Sequence, residues 1–401
     1  MSPPPFYTKV WNAILGRLKF ARQSDLDSAI KKQRELAADL QRAEQAIVQR
    51  DAQIASLTIL RNQEAAVHSR TMTQRDSLEL EVARAKWCRN ALVCWPGNTP
   101  QGLATNTAQY LKAIVRSAKD YFALLRPDNY SSPEQWALYW SLAGASQGTQ
   151  WLAGGKQNEN ALSNAFIQKL ASEAQEASKL LGANGHLSIA YSCIYDQTQG
   201  ALQEVHVGAD LLVIVAGQTL IPHGWAKVFW VQAKRAVANR PLALDYGHKN
   251  TQGRQVEALA MMHEPSKGAF AYYIQYAGGL QYIPAVSVDQ LDRGSNTRTA
   301  DLSAIGARLA EKLVAEVANA SGGAFANPGE LLQYLQVATG HRPTYVVAIE
   351  DGDRGLARER TMDLVVDYYR RELGLEQTLA EPASGRERDR ADEDDYPAPR
   401  P

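Results

Sequence analysis

An excess of either charge is missing from this sequence: Lys+Arg and Asp+Glu each number 43 among 401 residues, so the formal net charge is zero. That removes the global basic field that announces a nucleic-acid binder, and any such surface has to be a local patch. Cysteine is scarce. Cys88, Cys94 and Cys193 form no CxxC pair and leave an odd thiol, which argues against a disulfide scaffold and for a reduced, cytoplasmic compartment. Long apolar runs are missing too. "LLVIVAG" is among the longest, far short of the roughly 18 residues of a membrane span. The opening "MSPPPFYTKVWNAILGRLKF" lacks the basic-then-apolar order of a signal peptide. The hydrophobic fraction of 45% speaks against wholesale disorder, and the length allows two or three domains with a sizeable core.

Proline and glycine are absent from residues 20 to 86, which are rich in Ala, Gln, Arg, Glu and Leu. A seven-residue reading puts Leu26, Gln33, Leu40, Ile47 and Ile54 at one seam position, and Ala29, Leu36, Ala43, Arg50 and Leu57 at its partner. Residues 1–94 are therefore expected to form an amphipathic, coiled-coil-like helical region. Self-association or capture of a partner protein through it competes with a helical hairpin packed on its own protein. Gln33 and Arg50 interrupt the seam, and beyond Leu57 it weakens at Arg61, Glu64 and His68. Phe6, Val10, Ile14 and Leu18, four apart among basic residues, also fit peripheral contact with a membrane surface. An amphipathic helix docked on protein is preferred there.

"WPGNTPQG" at 95–102 is a breaker cluster and marks a boundary. A helical connector is expected over 103–155, with Ser131, Ser132 and Pro133 reading as a helix start. Residues 156–280 then read as helix, three strands, helix, strand. The strands are "HLSIAYSCIY" (186–195), "ADLLVIV" (209–215), "KVFWVQA" (227–233) and "AFAYYIQY" (269–276), the second helix "TQGRQVEALAMMHE". A C-terminal α/β extension over 281–376 holds a helix in "TADLSAIGARLAEKLVAEVANA", a strand in "TYVVAI" and a helix in "RERTMDLVVDYYRREL". The charged, Pro-rich tail 377–401 reads as disordered.

Chemistry concentrates where the third strand ends. In "VFWVQAKRA" a buried run meets Gln232 and Lys234, two apart and so on one face. Asp210 opens the strand before, and Glu159 the helix before that. If the second and third strands are neighbours, Asp210 and 232–234 meet at one edge. A carboxylate, a second oxygen donor and a backbone carbonyl there suit a hard divalent cation such as Mg²⁺ or Mn²⁺. An adjacent ammonium could orient a water for attack on phosphorus. His206 and His223 flank the Asp210 strand, but no zinc spacing accompanies them. Arg235, Arg240, Lys249 and Arg254 give a local basic stretch beyond the site, suited to phosphate contacts and matched by a solvated charged face.

Glu159, "GAD" ending at Asp210 and "QAK" at 232–234 resemble the PD-(D/E)XK nuclease superfamily. More narrowly, they resemble the bacterial branch in which Gln replaces the second acid. That branch often shows "VQAKR", then a helix carrying Gln, here Gln255, then an aromatic strand, here with Tyr272 and Tyr273. The resemblance covers roughly 156–280 and implies a restriction-endonuclease-like mixed sheet flanked by helices. It also implies a metal-dependent DNA endonuclease, often one serving restriction or phage defence. By that resemblance Asp210 binds the metal with the Ala233 carbonyl, and Lys234 positions the nucleophilic water. Glu159 adds a carboxylate to the metal or a hydrogen bond to a metal-bound water, and Gln255 joins the basic residues as a DNA contact. Gln232 in place of the usual acid weighs against two-metal binding more than against one-metal binding. The competing expectation is a non-catalytic oligomeric scaffold with a degenerate nuclease fold, binding DNA or a partner protein.

Overall fold

The computed structural model describes residues 5–92, 101–116, 121–182, 185–194, 209–236, 242–244, 255–291, 299–338, 343–352 and 361–372. In chain order they form α1 (Pro5–Leu92), α2 (Gln101–Ile114), α3 (Pro133–Ala153), α4 (Glu159–Leu181), β1 (Leu187–Cys193), β2 (Leu211–Ala216) and β3 (Ala226–Arg235). Next come β4 (Leu242–Ala243), α5 (Gln255–Met261), β5 (Ala269–Tyr276), β6 (Pro284–Ser287), β7 (Thr299–Ala300), α6 (Leu302–Ile305) and β8 (Ala307–Arg308). The last are α7 (Leu309–Ala318), α8 (Pro328–Val337), β9 (Tyr345–Asp351) and α9 (Thr361–Glu372). The chain is thus mixed α/β, with a long N-terminal helix and a seven-stranded mixed sheet flanked by helices. It divides into two units, residues 1–80 and 81–401.

The described part of the first unit is the stretch of α1 up to Leu80. With no proline or glycine to turn the chain after Gly16, the helix runs on without a break, and the hairpin alternative is not what forms. Its apolar stripe is open: Leu40 is 62% exposed, Ile47 58% and Ile54 61%. Local pairs such as Arg42–Asp39 at 2.6 Å and Arg75–Glu79 at 3.5 Å decorate the surface. Among the described residues no helix is long and apolar enough to cross a membrane.

The second unit is built on the strand order β1-β9-β2-β3-β5-β6-β8. The pairs β2–β9 and β3–β5 are parallel and the others antiparallel. Every residue of β2 and β5, and all of β3 except Arg235, is buried. This explains their unbroken apolar runs, since such strands are covered on both faces. One face carries α2, α3, α4 and α7 over Phe229, Val231, Tyr272 and Ile274. The other carries α8 and α9 over Val228, Trp230, Ala271 and Tyr273. The β1 edge strand is mostly half-buried or exposed.

Four segments play other parts than their sequence suggests. Within the expected connector, α3 is a core helix: Trp136, Leu138, Tyr139 and Trp140 are buried. It starts where expected, with the Ser132 side chain accepting from the Gln135 amide. Its small residues let α4 approach, for a Cβ on Gly148 would lie 2.8 Å from Lys169 Cδ. The boundary expected after residue 280 marks no break in the sheet. The strand from "TYVVAI", β9, sits between β1 and β2, so the C-terminal third supplies the strand that joins the β1 edge to the rest of the sheet. Parallel pairing of β9 with β2 joins residues far apart in sequence, which local pattern cannot reveal. The helix expected from 299 to 320 breaks at Gly306, where Ala307 and Arg308 pair with β6, and resumes as α7. The sequence pattern does not predict helix α8, which is capped by the Asn327 side chain accepting from the Glu330 amide. The tail 377–401 lies outside the described residues.

Candidate active site at the end of the central strands

Strand β3 alternates, so Val228, Trp230, Gln232 and Lys234 point to one face and Phe229, Val231 and Ala233 to the other. Asp210 is placed by the antiparallel partner: its backbone N–H donates to Val231 O at 3.0 Å, just before β2 begins. The carboxylate then reaches across the strand end. Its Oδ2 accepts from Gln232 Nε2 at 2.6 Å and from the Ala233 backbone N–H at 2.7 Å. Gln232 Nε2 also lies 3.2 Å from the Ala233 carbonyl oxygen. The other end of the Gln232 amide, Oε1, accepts from Gln255 Nε2 at 2.8 Å, and Gln255 Oε1 accepts from Lys234 Nζ at 2.8 Å. A single chain of hydrogen bonds thus runs from ammonium through two amides to carboxylate. Gln232 and Lys234 are only 3% and 2% exposed.

Burial pushes the Asp210 carboxyl up to about 7, and the Glu159 carboxylate adds to the rise. The Ala233 N–H and the Lys234 ammonium oppose it. A carboxyl held so far from its ordinary 3.8, beside a buried lysine, is a marker of functional sites.

Glu159 comes from the opposite side of the sheet. It opens α4 after the Asn158 cap, and its Oε1 accepts the Arg235 backbone N–H at 2.9 Å. It fixes the tip of β3 and acts on Asp210 through its charge. Arg235 is exposed at that tip. Arg240, Lys249 and Arg254 lie outside the described residues, as do His206 and Cys94. Gln255, expected to touch DNA, is half-buried at the start of α5 and joins Lys234 to Gln232. His223 is exposed in the turn after β2, at the far end of that strand from Asp210. It is no partner to the site. Tyr273 shares the face of Gln232, whereas Tyr272 lies on the other face.

Among the described residues no three His, Cys, Asp or Glu side chains gather in a way that could hold a metal. The donors are sparser: the Asp210 carboxylate, the Ala233 carbonyl and an amide oxygen of Gln232. Magnesium is commonly bound through one or two carboxylates while keeping several waters, so this set fits a single hard cation. Binding would require the Gln232 amide to turn its oxygen, rather than its NH₂, toward Asp210. Gln275 escaped the sequence reading. It follows Tyr273 by two in "YYIQY", and the only signal was a polar residue in an otherwise apolar strand.

Comparison of the chain with protein-family models, curated proteins and solved structures finds no match.

Proposed function

We propose that the second unit is a restriction-endonuclease-like core and that the chain is a Mg²⁺- or Mn²⁺-dependent DNA endonuclease of the type used against phage. The observation that carries this reading is the meeting of Asp210, Gln232 and Lys234 at one end of two adjacent central strands, with the Asp210 carboxyl pushed up to about 7. Asp210, the Ala233 carbonyl and the Gln232 amide would hold the cation, which when bound lowers the pKa of water and offsets charge on phosphorus. Lys234 holds the attacking water and faces the scissile phosphate with its ammonium. Gln255 fixes that ammonium by accepting one of its three protons. Glu159 keeps the β3 tip in place through the Arg235 amide.

A second reading has its own observation. The Gln232 amide already occupies Asp210 Oδ2, so the site is self-satisfied without a cation. That favours a DNA- or protein-binding scaffold. Supercoiled plasmid incubated with the protein and Mg²⁺ or Mn²⁺, with and without EDTA, separates the two. Metal-dependent nicking supports the nuclease, and intact plasmid the scaffold.

A further inference from the structure

In the parallel pairing of β3 with β5, Lys234 lies directly opposite Gln275. Paired residues of neighbouring strands point to the same face, so the Gln275 side chain leaves the sheet on the same face as that of Lys234. Gln275 is 0% exposed, and neither its amide nitrogen nor its amide oxygen has a hydrogen-bond partner. The other two amides on this face, Gln232 and Gln255, are each bonded at both ends. Leaving a buried amide dry destabilises a fold, and such groups are uncommon.

The backbone that carries Gln275 is held firmly. Gln150 of α3 donates to the Gln275 carbonyl oxygen at 2.9 Å and the Tyr282 carbonyl oxygen at 2.7 Å. It also accepts from the Ala277 N–H at 2.7 Å. Tyr276 OH meets Ser163 Oγ of α4 at 3.2 Å. Just beyond, Gly278 runs so close to Gly154 that a Cβ on it would lie 2.6 Å from the Gly154 Cα. A clamped strand end that presents one unsatisfied amide is a site set up in advance for a small polar guest.

We propose that Gln275 is a positioning residue that, together with Lys234, holds a water molecule. Size decides for water over a phosphate oxygen. With Gln275 closed to solvent and Lys234 2% exposed, a guest against the Gln275 amide has to be small, and single waters commonly occupy buried polar sites. Water can accept from Lys234 Nζ and from Gln275 Nε2, or donate to Gln275 Oε1. On the nuclease reading, on which the catalytic part of this proposal rests, this is the water that attacks phosphorus. Its oxygen bonds to phosphorus, its proton passes to solvent or a neighbouring base, and the 3′ or 5′ oxygen departs as the P–O bond breaks.

The test uses the full chain and Gln275→Met, which keeps the shape of the side chain and removes the amide. A high-resolution crystal structure of the metal-free protein should show an ordered water within about 3.2 Å of both Gln275 and Lys234. Gln275→Met should lower the melting temperature, since it takes a partner from that water. In plasmid cleavage kcat should fall roughly 10- to 100-fold, the scale of a misplaced nucleophile, with KM for DNA unchanged. A dry amide together with a melting temperature that rises in Gln275→Met overturns the proposal. A rise in KM with kcat unchanged overturns the water assignment and points to a phosphate contact. If the wild type cleaves nothing, the nuclease reading fails, while the water and the melting temperature still decide the role of Gln275.

Discussion

Gln232 donates its side-chain amide to the Asp210 carboxylate over 2.6 Å, where the end of β3 meets the start of β2. The carboxylate is thereby satisfied from within the protein, and on the proposed nuclease reading a cation would compete with an amide already in place.

Gln232→Glu should reverse that balance. Two carboxylates would then face each other across 2.6 Å, and losing a hydrogen bond to a charged group costs roughly 1.5–3 kcal/mol. Metal-free Gln232→Glu is expected to melt below the wild type and to be stabilised more than the wild type by Mn²⁺. Plasmid cleavage should survive. Equal melting temperatures without metal would remove the Asp210–Gln232 bond from the account.

Asp210 sets a pH dependence. Its folded pKa, about 7, is raised above the ordinary 3.8. The carboxyl therefore contributes stability fully below about 3.8 and loses it as pH rises through 7. Metal binding needs the ionised form, so Mn²⁺ affinity measured by calorimetry should rise by up to about tenfold per pH unit below 7 and level off above it. Asp210→Asn should flatten both the affinity and the stability profile. A wild-type affinity already flat from pH 5 to 7 would contradict the assignment.

Lys227 offers a test remote from the site. It is buried at the start of β3, donates to the Glu316 and Asn319 carbonyl oxygens at 2.6 and 2.8 Å, and so closes the end of α7. Burial pushes its pKa down to about 8 from 10.5. The unfolded chain therefore binds the proton more tightly, and stability rises with pH between 8 and 10.5. Urea unfolding of wild type minus Lys227→Met should show that gain. A difference independent of pH over this window would contradict it.

The open stripe on α1 bears on assembly. Ile47 and Ile54 are 58% and 61% exposed, and burying each against a second copy would contribute about 1.5–3 kcal/mol. Ile47→Lys with Ile54→Lys should lower the molar mass measured by light scattering. A monomeric wild type would show that this helix does not pair with itself.

The residues of the site were legible because strand and chemistry coincide in sequence. The buried run "VFWV" fixes the alternation, and alternation alone puts Gln232 and Lys234 on one face. Asp210 was legible for the same reason, as the polar residue opening the next buried run. Three kinds of relationship stayed hidden. Strand β9 enters between β1 and β2 through a non-local parallel pairing, which no window of local pattern contains. Helix α3 looked ambiguous because its Trp, Tyr and Gly residues are chosen for close helix contact rather than for an apolar stripe. Gln275 was invisible because its meaning lies in the neighbour across the ladder, Lys234, rather than in its own surroundings along the chain.

Plasmid nicking by wild type, Lys234→Ala and Asp210→Ala tests the central claim most directly. Both side chains sit at a strand end rather than within the apolar clusters, so circular dichroism should show all three proteins folded. The wild type should nick supercoiled DNA with Mg²⁺ or Mn²⁺ and stop with EDTA. Each variant should be slower by on the order of 10²–10³-fold, the effect of losing one charge contact in the transition state. Equal cleavage by all three, or intact plasmid with the folded wild type, would contradict the nuclease and leave the scaffold.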